Sequence, residues 1–138
     1  MASHPLDALR PLFTLAARLL IAPLFLIAGY GKLTGKAGTI AYMQAHGVPL
    51  AELLVWPAAI AEVGGGLLLL LGWQARWAAL VLAAFTAAAT PLFHAFWSEA
   101  DPTVAYQQAL HFWKNLAIMG GLLFAAAHGP GRFALDRQ

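Results

Sequence analysis

Arg18, Glu62 and Lys114 interrupt long apolar runs, and His94 and His111 stand close to the ends of others. In a bilayer an ionisable group near a helix centre costs about 3 kcal/mol or more, so each should face a partner or a wet cavity. These side chains supply cationic donors, one carboxylate and two imidazoles, a set that can hold a polar head group and exchange protons with it. Other chemistries are removed by the absence of cysteine. Without thiols there is no disulfide relay, thiolate nucleophile, cysteine-ligated zinc, iron–sulfur cluster or covalently attached c-type haem.

The elements that must carry these groups are membrane helices. The chain has 138 residues, of which 61% are hydrophobic and 10% charged, with a mean hydropathy of +0.70. A soluble domain of this length carries far more surface charge. Spanning a bilayer takes roughly 20 mostly apolar residues per helix. Four windows meet that length, at about 11–30, 51–71, 75–97 and 109–128, so the whole chain, 1–138, reads as one membrane domain. The expected fold is an all-α, four-helix transmembrane bundle. The first window has no clear A-x-A-like cleavage site after it, and Arg18 would lie too deep for a signal peptide, so it counts as a span. The formal net charge of +2 is too small and too dispersed for nucleic acid, which leaves the lipid bilayer as the first partner.

Orientation follows the distribution of Lys and Arg among the short connections. Arg10, Arg76, Arg132 and Arg137 fall on one side with both termini; Lys32 and Lys36 fall on the other with Glu52, Glu99 and Asp101. Both termini are therefore expected to be cytoplasmic. In the longest connection, Gly31 to Leu50, the stretch Thr39 to His46 fits a short interfacial helix that Gly47-Val48-Pro49 stops. A tight turn is expected at Gly72 to Gln74, and Pro102 is expected to break the helical pattern between Ser98 and Tyr106.

At about 1.5 Å of rise per residue, antiparallel spans centred on these windows bring Arg18 and Glu62 within about 5 Å of the midplane. The sequence thus predicts an Arg18–Glu62 ion pair, which can fix helix register, bind ligand or handle protons. Arg18, Ala22, Phe25, Gly29 and Lys32 share one face of the first helix, and Thr86, Thr90 and His94 form a stripe on the third. Gln107, His111, Lys114 and Asn115 line a face of the fourth. Convergence of these faces on Glu62 predicts an outward-opening polar pocket with Arg18, Glu62, His94, Gln107, His111, Lys114 and Asn115 as ligand-binding residues. Lys32, His46 and Arg76 read as flanking anchors. One histidine pair near the outer edge argues against bis-histidine haem, and Glu62 alone cannot make a carboxylate-bridged di-iron site, so no metal is expected.

Taken together, Arg18 with Gly29-Tyr30-Gly31-Lys32-Leu33, Gly47-Val48-Pro49, Glu62-Val63-Gly64-Gly65, Gly72 followed by Arg76, Phe112-Trp113-Lys114-Asn115, Gly129-Pro130-Gly131 and Leu135-Asp136 resemble the DoxX family of small bacterial membrane proteins. The resemblance covers nearly the whole chain. It implies a multi-pass protein of the bacterial cytoplasmic (inner) membrane, associated with a quinone-linked or oxidative-stress oxidoreductase system and its soluble or membrane partner chains. A quinone is the ligand that the pocket and the resemblance suggest together, with no covalently bound cofactor. Two alternatives stand beside it: a non-catalytic membrane anchor or assembly protein, with oligomers allowed, and a small-molecule transporter using Arg18 and Lys114 as counter-charges.

Overall fold

Asp101 and Pro102 start the longest helix rather than ending a loop. The Asp101 carboxylate accepts from the backbone N–H groups of Thr103 at 2.7 Å and Val104 at 3.3 Å. Pro102 occupies the first turn, where its missing N–H would have had no helical partner. A computed structural model describes residues 4–136, so Arg137 of the orientation argument lies outside the described residues.

The helices are α1 (Arg10–Thr34), α2 (Lys36–Ala45), α3 (Ala51–Leu71), α4 (Ala75–Phe93) and α5 (Pro102–His128). Single 3-10 turns stand at Pro5–Leu9, before α1, and at Phe96–Ser98, between α4 and α5. Among the described residues, α1, α3, α4 and α5 are each long and apolar enough to cross a bilayer. The protein is an all-α four-span membrane bundle, and α2 is the short helix between the first two spans. The spans continue through Pro23, Pro57 and Pro91, which membrane helices tolerate because neighbouring groups satisfy the freed carbonyls.

Small residues set how closely the helices approach. A Cβ on Gly29 would lie 2.6 Å from Val63 and 3.0 Å from the Cβ of Glu62, and one on Gly66 would lie 3.0 Å from Leu26. Gly65 meets Leu82 of α4 in the same way. These contacts bring α3 against α1 on one side and α4 on the other, as expected where association rests on packing rather than on a hydrophobic drive. The core consists mainly of Ala22, Phe25, Leu69, Ala79, Leu82 and Leu122.

The contacts also fix a stagger. Gly29 stands opposite Glu62, while Arg18 reaches the last turn of α3 at Leu70. α3 therefore stops well short of the start of α1, and the chain's own C-terminal segment covers the exposed helix end. Leu135 and Asp136 donate their backbone N–H groups to the carbonyls of Leu71 and Gly72 at 3.1 and 3.0 Å. Gly72 has to be glycine: its φ is +70°, and a Cβ would lie 2.5 Å from both the Ala134 Cβ and Arg18 Nη1.

Candidate functional site

The buried face of α1 consists of Arg18, Ala22, Phe25 and Gly29, the three- and four-residue spacing read from the sequence. Lys32 continues that face one turn further, and Glu62 is brought opposite it by the close approach at Gly29. Lys32 Nζ lies 2.9 Å from Glu62 Oε1 and 2.7 Å from Oε2. The Lys32 side chain is 23% exposed and that of Glu62 6%.

This corrects the expected Arg18–Glu62 pair. Eleven residues of helix separate Arg18 from Gly29, which is about 16 Å along the axis. Centring each window on the midplane hid that offset, because α1 runs on to Thr34 and α3 is displaced along it. Arg18 instead donates from Nη1 to the Leu70 carbonyl at 2.8 Å and from Nη2 to the Phe133 carbonyl. It ties the end of α3 to the C-terminal segment. Lys32, expected as a flanking anchor, is the partner of Glu62.

Both charges line a cavity of about 880 Å³ at the end of the bundle away from the termini. Its walls are mostly apolar, with Phe25 from α1, Phe85 and Phe93 from α4 and Ile118 from α5. α2 contributes Thr39, Tyr42 and Met43 as a roof. Tyr42 stacks on Phe93 with ring centroids 5.4 Å apart, and His46 lies 4.2 Å from the Tyr42 ring. Gly35 and Gly47 bound this helix on either side, Gly47 with a φ of +73°.

His94 and Asn115 also line the cavity, and the stripe on α4 holds them. Thr86 and Thr90 are buried and return their hydroxyls to the carbonyls of Leu82 and Thr86 at 2.8 and 2.6 Å. Asn115 Nδ2 then donates to Thr90 Oγ1 at 3.1 Å. His94 Nδ1 lies 2.8 Å from Gln108 Oε1. With that amide oxygen accepting, Nδ1 carries a proton and Nε2 is left for another partner.

The other expected ligand residues fall elsewhere. Gln107, His111 and Lys114 are exposed and do not line the cavity. His111 only touches it indirectly, its ring 5.2 Å from that of His94. The amide that meets His94 is Gln108, not Gln107, because the face of α5 that turns inward carries Gln108, Phe112, Asn115 and Leu122. Hydrogen bonds between α4 and α5 fix this register, placing Lys114 about one turn inside the end of α4, within snorkelling reach of the interface. Arg76 caps α5, donating to the carbonyls of Ala126 and Ala127 at 3.3 and 3.0 Å. Among the described residues no three His, Asp or Glu side chains converge as a metal shell requires.

Comparison with known proteins gives one family and several relatives. The DoxX family model matches residues 13–95. The chain is 43% identical over 125 residues to the inner membrane protein YqjF of Escherichia coli, covering 89% of this chain and 88% of that one. It is 34% identical over 131 residues to the inner membrane protein YphA of the same organism, covering 95% and 93%. A Surfeit locus protein 4 homolog of Schizosaccharomyces pombe is 30% identical over 132 residues, 94% of this chain but 38% of that protein. No solved structure matches. With four apolar spans and relatives of this kind, the protein is a multi-pass protein of the inner membrane.

Proposed function

We propose, for a chain that belongs to the DoxX family, that it is a membrane subunit of a redox system and takes a quinone-like head group into the cavity between α1, α3 and α4. The observation that carries this reading is the Lys32–Glu62 pair set in a largely apolar cavity of about 880 Å³. Ligand sites are commonly ~300–1,000 Å³, mostly apolar, with a few converging polar groups.

The donor set suits a planar ring with two carbonyl oxygens. Lys32 Nζ has protons to spare beyond its contact with Glu62 and can donate to one carbonyl. Phe25, Phe85 and Phe93 offer surface for the ring, and Thr39 and Tyr42 supply hydroxyls at the roof. A bound quinone would supply the two-electron couple; this chain has no side chain of its own that carries electrons, so the reductant belongs to a partner. Glu62 and His94 hold and pass protons at the cavity wall.

Saturable quenching of tryptophan fluorescence by a short-chain quinone tests the proposal on purified protein. Trp56 lies on α3, the helix that carries Glu62. Wild type should saturate, and Ala89→Phe, which fills the cavity from α4, should weaken binding at least about tenfold. Absence of saturable binding by the folded wild-type protein removes the physical basis of the reading.

An assembly role is favoured by one separate observation. Gln107, His111 and Lys114 recur at helical spacing on an exposed flank of α5, offering polar groups to a neighbouring chain. The two roles are compatible, since a ligand-binding subunit of a redox assembly must also meet its partners.

A further inference from the structure

Arg18 is 3% exposed and permanently charged, yet the groups that it binds, the carbonyls of Leu70 and Phe133, are neutral. No carboxylate among the described residues is in salt-bridge contact with it. Carbonyl dipoles reduce the cost of burying a guanidinium but leave its unit charge uncancelled.

Beside Arg18, between the start of α1 and the end of α5, lies a second crevice of about 450 Å³. Phe13, Ile21 and Phe124 line its apolar part, and Arg10 and His128 are exposed among its polar lining. His128 Nδ1 is 3.0 Å from the Phe124 carbonyl, which leaves Nε2 available. Asp7 is the acid of the lining, and one of its oxygens already accepts the His4 N–H at 2.8 Å. Arg10 and Arg18 against Asp7 leave a net positive site with a greasy interior, open at the end of the bundle that carries the termini.

We infer that this crevice binds an anionic phospholipid of the surrounding bilayer, with an acyl chain along Phe13, Ile21 and Phe124 and the phosphate held by the field of Arg10 and Arg18. Basic pockets between membrane helices recognise lipid head groups through this combination of charge and apolar wall. A zwitterionic lipid adds an ammonium that the arginines repel, and a second copy of this chain would bring the same cations face to face. The site is independent of the ligand proposed for the larger cavity.

Native mass spectrometry of the full chain in neutral detergent, titrated with phosphatidylglycerol and phosphatidylcholine of identical acyl chains, decides the matter. The glycerol lipid should bind at least about fivefold more tightly, and Arg10→Gln should remove about that factor. Ala17→Leu, which fills the crevice from an exposed position on α1, should abolish the preference while leaving the lipid-free melting temperature unchanged. Equal affinity for the two lipids overturns the inference, as does unchanged phosphatidylglycerol binding in both variants. Competition by inorganic phosphate at the lipid's own potency also overturns it, because the acyl crevice would then contribute nothing.

Discussion

Lys32 Nζ sits 2.9 Å from Glu62 Oε1, one turn beyond the point where Gly29 lets α1 and α3 touch. The pair is thus a product of helix packing as much as of charge. Burial makes it asymmetric, since Glu62 has almost no exposure while Lys32 retains some. Removing the lysine strands a carboxylate inside the bundle, and Lys32→Met should cost about 3 kcal/mol or more. Adding Glu62→Leu should restore most of that loss, because two apolar side chains replace a desolvated pair. Thermal melts of the single and double variants in detergent check both statements.

Arg18 and Glu62 should be energetically independent. Their separation along α1, about 16 Å, exceeds the range at which neighbours couple, so the Arg18→Ala and Glu62→Gln effects should add within about 0.5 kcal/mol. A double-mutant cycle on unfolding measures this. A coupling of several kcal/mol would restore the ion pair that the sequence suggested. Arg18→Ala alone should be costly for another reason: two charge-assisted hydrogen bonds to carbonyls are lost, each worth about 1.5 kcal/mol or more. Its signature is a C-terminal segment that proteases reach, since the Phe133 carbonyl is released.

Much of the architecture was legible because hydrophobic length and periodicity are local properties. The stripe Arg18, Ala22, Phe25, Gly29 on α1 and the stripe Thr86, Thr90 on α4, continued by His94 at its C-cap, are readable from spacing alone. Partnership was not, because it depends on the axial stagger between helices, and here an offset of about 16 Å along α1 exchanges Arg18 for Lys32 as the partner of Glu62. Lys32 shared the buried face with Arg18, which was the available signal, but its position near the end of the apolar run suggested an anchor. Gln107 and Gln108 are adjacent, and only the rotation of α5 about its axis, set by bonds to His94 and Thr90, selects between them. Pro102 reads as a breaker from the sequence, although a proline behind an aspartate cap equally begins a helix.

Gly72→Ala should destabilise the protein by more than an ordinary glycine replacement. The left-handed backbone alone costs a non-glycine residue about 1 kcal/mol. The added methyl would also stand 2.5 Å from Ala134 Cβ and Arg18 Nη1, so it must push the C-terminal segment off the end of α3. A lower melting temperature accompanied by faster amide exchange at Leu135 and Asp136 is the expected result. Loss of stability without faster exchange there would show that the turn, not the clasp, bears the strain.

The membrane orientation can be tested cleanly because the chain contains no cysteine. The end of the bundle with the termini carries Arg10, Arg76 and Arg132, while the opposite end combines Lys36 with Glu52, Glu99 and Asp101. Retention of positive charge in the cytoplasm therefore predicts that Ala8 faces inward and Ser98 outward. Both positions are exposed and lie in the 3-10 turns that end the first and third candidate spans, so Ala8→Cys and Ser98→Cys should fold normally. With a membrane-impermeant maleimide on intact cells, Ser98→Cys should label at once and Ala8→Cys only after the inner membrane is breached. The reverse pattern would turn the bundle over and make the cavity beneath α2 face the cytoplasm, so that protons and partners would reach Lys32 and Glu62 from that side.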